Sequence, residues 1–304
     1  MKTLRSLGAG DLSSSDTIVA VMGPTGVGKS TFIDLATGQG GKTVGHTLES
    51  QTAEVRAVKV HHPETDQPIV FVDTPGFDDT NKSDTEVLRM IANWLEKTYK
   101  KQVRLTGIIY MHRISDNRMA GAPHKNLHVF TKLCGDDAIR NVILATTMWS
   151  RVKKEIGEKR EAELQQEYWK KMLDKGSQTT RFEGTALSAW KIVNIIVAGQ
   201  RPTSVLLQEE MVDLEKRLSE TQAGITLYHE LRGLLSLHTD AIRQLREQAV
   251  RQNNPTLVEE LNKQQEEIEE KIRLTLDQIQ EMRIPLSRRI RLIFSFKTLR
   301  KSMC

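Results

Sequence analysis

The stretch Gly23-Pro24-Thr25-Gly26-Val27-Gly28-Lys29-Ser30 satisfies the pattern G-x-x-x-x-G-K-[ST] at every fixed position and directly follows the apolar run 17–22. No other feature narrows the fold as far. Glycines at these places let the backbone curl so that successive N–H groups point inward. A helix opening near Lys29 adds its positive end, and together they make a seat for phosphate. Lys29 is expected to bridge β- and γ-phosphate oxygens, and the Ser30 hydroxyl to ligate Mg2+. The surroundings agree: a buried-strand pattern precedes the loop, and Thr31-Phe32-Ile33-Asp34-Leu35-Ala36 opens a helix after it. The expected phosphate-contacting set is Gly23, Thr25, Gly26, Val27, Gly28, Lys29, Ser30 and Thr31.

A second motif lies downstream, Phe71-Val72-Asp73-Thr74-Pro75-Gly76-Phe77. An apolar strand ending in Asp-x-x-Gly suits a carboxylate that holds Mg2+ through water and a glycine whose N–H meets the γ-phosphate. Alone this pattern is weak; at a strand end after a phosphate loop it describes the other half of one metal–phosphate site, with Ser30 and Asp73 as metal-side residues and Gly76 on the phosphate.

The rest of the first two thirds alternates strand and helix. Residues 17–22, 53–60, 69–73, 106–111 and 141–146 read as strands, and 29–37, 84–99, 123–134, 156–175 and 187–199 as helices. That order predicts an α/β fold with a doubly wound, mostly parallel sheet. Residues 55–60 and 69–72 flank a short turn from Pro63 to Pro68, as a hairpin would, and supply one antiparallel strand. The glycine-rich segment 38–45 lies where a mobile loop would reach the ligand. His61 and His62 beside the turn, and His124 and His128 at i, i+4, are read as solvated, because a zinc site would need further ligands.

After 199–202 the pattern changes. Leu207, Met211, Leu214, Leu218, Ile225, Tyr228, Leu235 and Ile242 share one seven-residue frame, interrupted by Thr221, Arg232, Thr239 and Arg246. Asn253-Asn254-Pro255 marks a turn, and Leu257, Leu261, Ile268, Ile272 and Ile279 continue a second helix. Residues 203–283 are therefore expected to form a helical hairpin or a coiled coil, following a flexible N-terminus over 1–15 and an α/β domain over 16–202.

Charge adds one restriction. The chain carries +5, yet seven of its 44 basic residues lie in 283–304 with no acid, leaving 37 against 39 acidic residues before them. The body is not read as a nucleic-acid binder. The tail 284–304 interleaves arginines with Ile290, Leu292, Ile293, Phe294 and Phe296, a composition suited to peripheral contact by residues 285–304 with an anionic membrane surface. Two cysteines and no apolar run of spanning length point to a reducing, cytoplasmic setting; Cys134 is read as a small apolar residue on a helix.

Taken together, the 23–30 loop and Asp73-Thr74-Pro75-Gly76-Phe77 resemble the P-loop GTPase family over roughly residues 16–200. More narrowly they resemble the septin-like branch that holds the GIMAP proteins and the chloroplast Toc receptors. The runs 107–115, 132–137 and 146–149 are similar to a group of fungal G proteins. The resemblance implies a G domain over 16–202, GTP or GDP with Mg2+ as cofactors, and slow GTP hydrolysis serving a nucleotide switch or a G-domain-dimerising scaffold. It also implies a switch threonine on Mg2+, with Thr52 the first choice, then Thr47 and Thr43.

The family reads guanine with N/T-K-x-D after the fifth main strand. Here Thr147 holds the first place, Met148 the lysine place and Ser150 the aspartate place. A serine hydroxyl replaces a charge-assisted pair of hydrogen bonds by one, forfeiting roughly 1–3 kcal/mol, so GTP against ATP stays open. Trp149 is read as core. Leu187-Ser188-Ala189-Trp190 resembles the loop whose amides touch the base oxygen, which places Ser188 at the base. Phe77 stands where many small GTPases carry a water-positioning glutamine. Arg113 matches the place of an arginine that acts across a G-domain homodimer in part of the branch. Besides the GTPase, the residues admit a nucleotide-holding structural or membrane-associated module without useful turnover, and an ATPase.

Overall fold

The run Thr-Ile-Val-Ala-Val-Met has no polar alternation, so a strand built from it must be covered on both faces. In the computed structural model, which describes residues 6–7, 11–39, 54–79, 81–117, 119, 121–199, 202–251 and 255–284, that strand is central and all six residues are buried. The seven strands are β1 (Ser6–Leu7), β2 (Thr17–Met22), β3 (Arg56–His61), β4 (Pro68–Asp73), β5 (Gly107–Arg113), β6 (Val142–Thr147) and β7 (Gln178–Arg181). They form one sheet in the order β1-β3-β4-β2-β5-β6-β7. β2 pairs in parallel with β4 and β5, and β6 in parallel with β5 and β7. Only β3 runs against its neighbours, completing the expected hairpin with β4. The fold is the doubly wound, mostly parallel α/β sheet that the strand–helix alternation predicts.

Helices α1 (Lys29–Thr37) and α6 (Ala186–Gly199) cover one face, where Val19, Val21, Phe71, Ile109 and Met111 meet Phe32, Ile192 and Ile196. α2 (Asp84–Tyr99) and α3 (Ala122–Ile139) belong to the other, where the Tyr110 ring lies 4.5 Å from Phe130 of α3. α2 starts on a capping box: Glu86 N–H donates to the Ser83 hydroxyl, and the Glu86 carboxylate accepts from Ser83 N–H. Cys134 is buried on α3, and burial pushes its thiol pKa up.

Several expectations are corrected. Residues 6–7 of the supposedly flexible N-terminus pair with β3 at the sheet edge, and at the start of the α/β domain buried Asp16 binds Lys59 at 2.5 Å. The helix expected over 156–175 is three pieces: α4 (Lys154–Glu163), a π-turn Leu164–Tyr168, and α5 (Lys170–Leu173). His62 is buried rather than solvated: its Nε2 lies 2.6 Å from Asn194 Oδ1, and its Nδ1 accepts from the amides of Glu64 and Thr65.

The chain divides into two compact units, Met1–Lys216 and Arg217–Cys304, later than the boundary expected at 202. The cause is α7 (Leu206–Val212). Leu207 and Gln208 of α7 are buried, and the Gln208 amide donates to the Leu95 carbonyl of α2 at 3.1 Å. The seven-residue frame accordingly does not describe one helix: α7 ends at Val212, and Glu215 takes a left-handed φ of 48°. In the second unit α8 (Gln222–Arg251) and α9 (Pro255–Glu281) pack as an antiparallel pair, with Arg246 on Glu269 at 3.0 Å. Among the described residues no helix is long and apolar enough to cross a membrane. The tail 285–304 lies outside the described residues.

Candidate nucleotide site

The 23–30 loop leaves the C-terminal end of β2 and folds through three glycines with positive φ: Gly23 at 140°, Gly26 at 77° and Gly28 at 96°. Gly28 caps α1 in the left-handed region, which a side chain would strain. Gly23 also lies against the Met111 backbone, where a Cβ would come within 3.3 Å of the amide nitrogen. Inside the loop the Lys29 ammonium donates to the carbonyls of Gly23 at 3.0 Å and Pro24 at 2.9 Å. Burial pulls its pKa from 10.5 down to about 8, against the opposing pull of Asp73 and Asp79 and with a smaller push from Arg113. Such a desolvated cation gains most when anionic phosphate arrives.

The second motif closes on the first. The Ser30 hydroxyl donates to Asp73 Oδ2 at 2.8 Å, bringing together the two groups read as metal-side residues. A hydroxyl and a carboxylate are hard oxygen donors, and Mg2+ is held by few protein ligands alongside water and phosphate oxygens, so this pair fits that ion. Thr74 ties the motif to the sheet through the Val21 carbonyl at 2.8 Å. Gly76 then passes so close to the loop that a Cβ on it would lie 2.5 Å from the Thr25 nitrogen and 2.6 Å from its Cα. The Thr25 amide donates to the Phe77 carbonyl at 2.8 Å, and the Thr25 hydroxyl to Asp79 at 3.3 Å. Thr31 is half-buried in the first turn of α1. Thr43, Thr47 and Thr52 lie outside the described residues.

On the base side, Thr147 is buried and its hydroxyl donates to the Val27 carbonyl at 2.9 Å, fastening the β6 end to the phosphate loop. Met148 takes a left-handed φ of 62° and brings its Cε within 3.8 Å of where a Gly28 Cβ would stand. Ser150 is exposed in the short turn Trp149–Arg151. Trp149 is half-buried, on the edge of the core: its Nε1 donates to Thr146 at 3.0 Å and Arg181 lies over its ring at 4.0 Å. Ser188 sits inside α6. Its hydroxyl accepts from the amides of Glu183 and Thr185, while its own amide donates to the Thr185 hydroxyl, a reciprocal cap on the helix. The loop that follows β7, Phe182 to Thr185, is the one at the sheet's C-terminal edge.

Arg113 ends β5 beside the phosphate loop of its own chain: its Nη1 is 3.3 Å from where a Gly26 Cβ would stand, and its Nε is 3.0 Å from Asp116. The resemblance had suggested that this arginine serves a partner's nucleotide. Asp116 was not singled out in the sequence; its spacing three residues after Arg113 was the available signal. Neighbouring His112 is buried and pulled down to about 4 by that burial, so it stays neutral near Asp116. The brace of Arg181, Glu161 and Trp149, with Arg181 Nε donating to both Glu161 oxygens at 3.0 Å, was also missed. It joins residues that no local pattern links.

Residues 18–147, fewer than half of the 304, match the family model described as 50S ribosome-binding GTPase. No curated protein matches the chain. Among solved structures, Toc33 from Arabidopsis thaliana in complex with Mg2+ and GMPPNP is similar at 16% identity and a TM-score of 0.47, over 61% of this chain and 85% of that one. Era from Aquifex aeolicus bound to GDP and AlF4− gives 18% identity and a TM-score of 0.43, over 62% and 58%. Era in complex with MgGDPNP and nucleotides of 16S ribosomal RNA gives 19% and 0.46, over 72% and 67%. The family match, the sheet order and the phosphate loop together support a P-loop GTPase G domain, and with it the binding of GTP.

Proposed function

We propose that this chain is a Mg2+-dependent guanine-nucleotide-binding protein that hydrolyses GTP slowly and uses the bound nucleotide as a switch, or as the signal for pairing two G domains. The observation that carries the reading is the junction of the two motifs. Lys29 is buried under the loop carbonyls, and Ser30 touches Asp73, so one triphosphate with one Mg2+ engages both motifs at once. In this reading Gly23, Thr25, Gly26, Val27, Gly28, Lys29 and Thr31 hold phosphate, Ser30, Asp73 and Thr52 serve the metal, and Gly76 meets the γ-phosphate. Ser30 and Asp73 would hold Mg2+, which would supply charge neutralisation for the phosphates. Thr147 acts on the base by anchoring the turn that frames it. Phe77 supports slow turnover, since its side chain is apolar and buried and offers water no hydrogen bond.

The partners proposed are guanine nucleotide and a second copy of the chain, through the G domain or the C-terminal helices. Contact of 285–304 with an anionic membrane surface is proposed beside them. Nucleic acid is left out because acidic and basic residues balance before the tail.

Ser150 favours a second reading, in which the chain holds nucleotide with little base preference, as an ATPase or as a module without useful turnover. The turn at 149–151 offers the base no carboxylate of its own. Calorimetry with GTP, GDP and ATP on nucleotide-free protein, with and without Mg2+, separates the readings. The guanine reading expects GTP at least tenfold tighter than ATP and dependent on Mg2+. ATP binding as well as GTP would overturn it, and phosphate release measured beside the titration distinguishes an ATPase from a holding module.

A further inference from the structure

The geometry points to Arg113 as a catalytic cation acting on the nucleotide held by its own chain. This inference rests on the GTP-hydrolysing reading and adds the group that completes it. Three observations carry it. The first is position: Nη1 of Arg113 stands 3.3 Å from where a Cβ on exposed Gly26 would be, and Gly26 turns the loop at a φ of 77° between Thr25 and Val27. The amides of such a loop face the phosphates, so a guanidinium resting on it lies within reach of the β–γ region.

The second is anchorage. Arg113 pairs with Thr147 in the β5–β6 ladder, the next amide, of Ile114, donates to the Thr147 carbonyl at 2.9 Å, and the Asp116 carboxylate forms an ion pair with the guanidinium, 3.0 Å from Nε. An acidic neighbour on the Nε side leaves the outer nitrogens to the loop, where Nη1 lies beside Gly26, and the side chain is only 33% exposed. It is arranged before the ligand arrives, so stabilising developing charge needs no further ordering. An arginine committed to its own loop in this way is not projected toward a partner.

The third is that residue 77 is otherwise engaged. The Phe77 carbonyl accepts from the Thr25 amide at 2.8 Å and its ring is buried, so the motif's own loop supplies no water-directing side chain there. Charge stabilisation is a contribution that a guanidinium beside the loop can make without such a side chain. In the step, a water oxygen bonds to the γ-phosphorus and the bond to the β–γ bridging oxygen breaks. The electron pair stays on that oxygen, and the water's proton leaves with inorganic phosphate. Arg113 meets the charge appearing on the β–γ oxygen while Lys29 grips the β- and γ-phosphates.

The test uses the full chain, preloaded with radiolabelled GTP for single-turnover hydrolysis. Arg113→Ala is expected to slow the reaction by at least about 100-fold at every protein concentration, while GDP affinity stays within about threefold. It should also lose the complex of GDP, Mg2+ and aluminium fluoride, a binding readout independent of turnover. Arg113→Gln serves as a second variant of closer shape, and thermal melts of both report folding.

Adding wild-type protein loaded with GMPPNP, which carries Arg113 but cannot hydrolyse, should not rescue either variant. Rescue by that addition assigns the arginine to a partner's nucleotide and overturns the inference, as does an unchanged rate in both variants. Wild type that binds GTP without turnover overturns the inference and leaves nucleotide binding standing. Wild type that binds no GTP overturns the proposed function as well.

Discussion

Lys29 carries a cost that only its ligand removes. Its pKa falls from 10.5 to about 8 through burial, a gap worth roughly 3 kcal/mol to the empty protein. Below about pH 8 the lysine is charged in both folded and unfolded chains, and the full cost stands. Between about 8 and 10.5 the unfolded chain holds a proton that the folded chain has released, so stability rises with pH. Lys29→Met should therefore raise the unfolding free energy of nucleotide-free protein at pH 7, by an amount of order 1–3 kcal/mol, and most of the gain should be gone at pH 10. Urea melts at both pH values check this; a gain that grows with pH would refute it. At this scale the loop glycines and Lys29 were legible because each residue type has one backbone or charge role. The cap that Thr185 and Ser188 make at the start of α6 was not, because many pairs at that spacing cap nothing.

Between α4 and the base-side turn, one missing methyl group sets the packing. A Cβ on Gly157 would lie 2.7 Å from Cζ3 of Trp149, the ring that Arg181 covers from above. Gly157→Ala should push the ring off Thr146 and unsettle the Arg181–Glu161 brace, at about 1–3 kcal/mol. The melting temperature is expected to drop by several degrees, and nucleotide affinity to weaken if the turn at 148–151 moves with the ring. An unshifted melt would show that the turn yields freely. Elements were legible where hydrophobic period and length agree, as in β2, β4 and α2. They were not legible where the interruption is purely geometric: the π-turn over Leu164–Tyr168 contains neither glycine nor proline to announce it. The seven-residue frame over 207–242 did not mark one helix for a different reason, because a repeating frame of apolar residues also arises when short helices bury against neighbours, as α7 does on α2.

The division after Lys216 gives the first unit its own sheet, both covering layers and α7. A protein ending at 216 should fold cooperatively and bind GTP with the affinity of the full chain within about threefold, whereas one ending at 202 should be destabilised by loss of the Gln208–Leu95 contact and the buried Leu207. Calorimetry and thermal melts of the two truncations decide it; equal stability would place the boundary back at 202. Domain order was legible in the chain because composition shifts toward Glu, Gln and Lys in the helical region. The boundary itself depended on which side buries α7, a question of tertiary packing that local patterning does not carry.

The joint between the two loops is made by main-chain atoms, the Thr25 amide and the Phe77 carbonyl. Sequence drift at either position leaves both atoms in place, since nearly every amino acid offers the same donor and acceptor. Proline alone, at position 25, would delete the donor. Inheritance of the coupling therefore rests on excluding proline at position 25 and on keeping glycine at 76, where a Cβ would press on the Thr25 backbone, and an alanine scan would sense only the second.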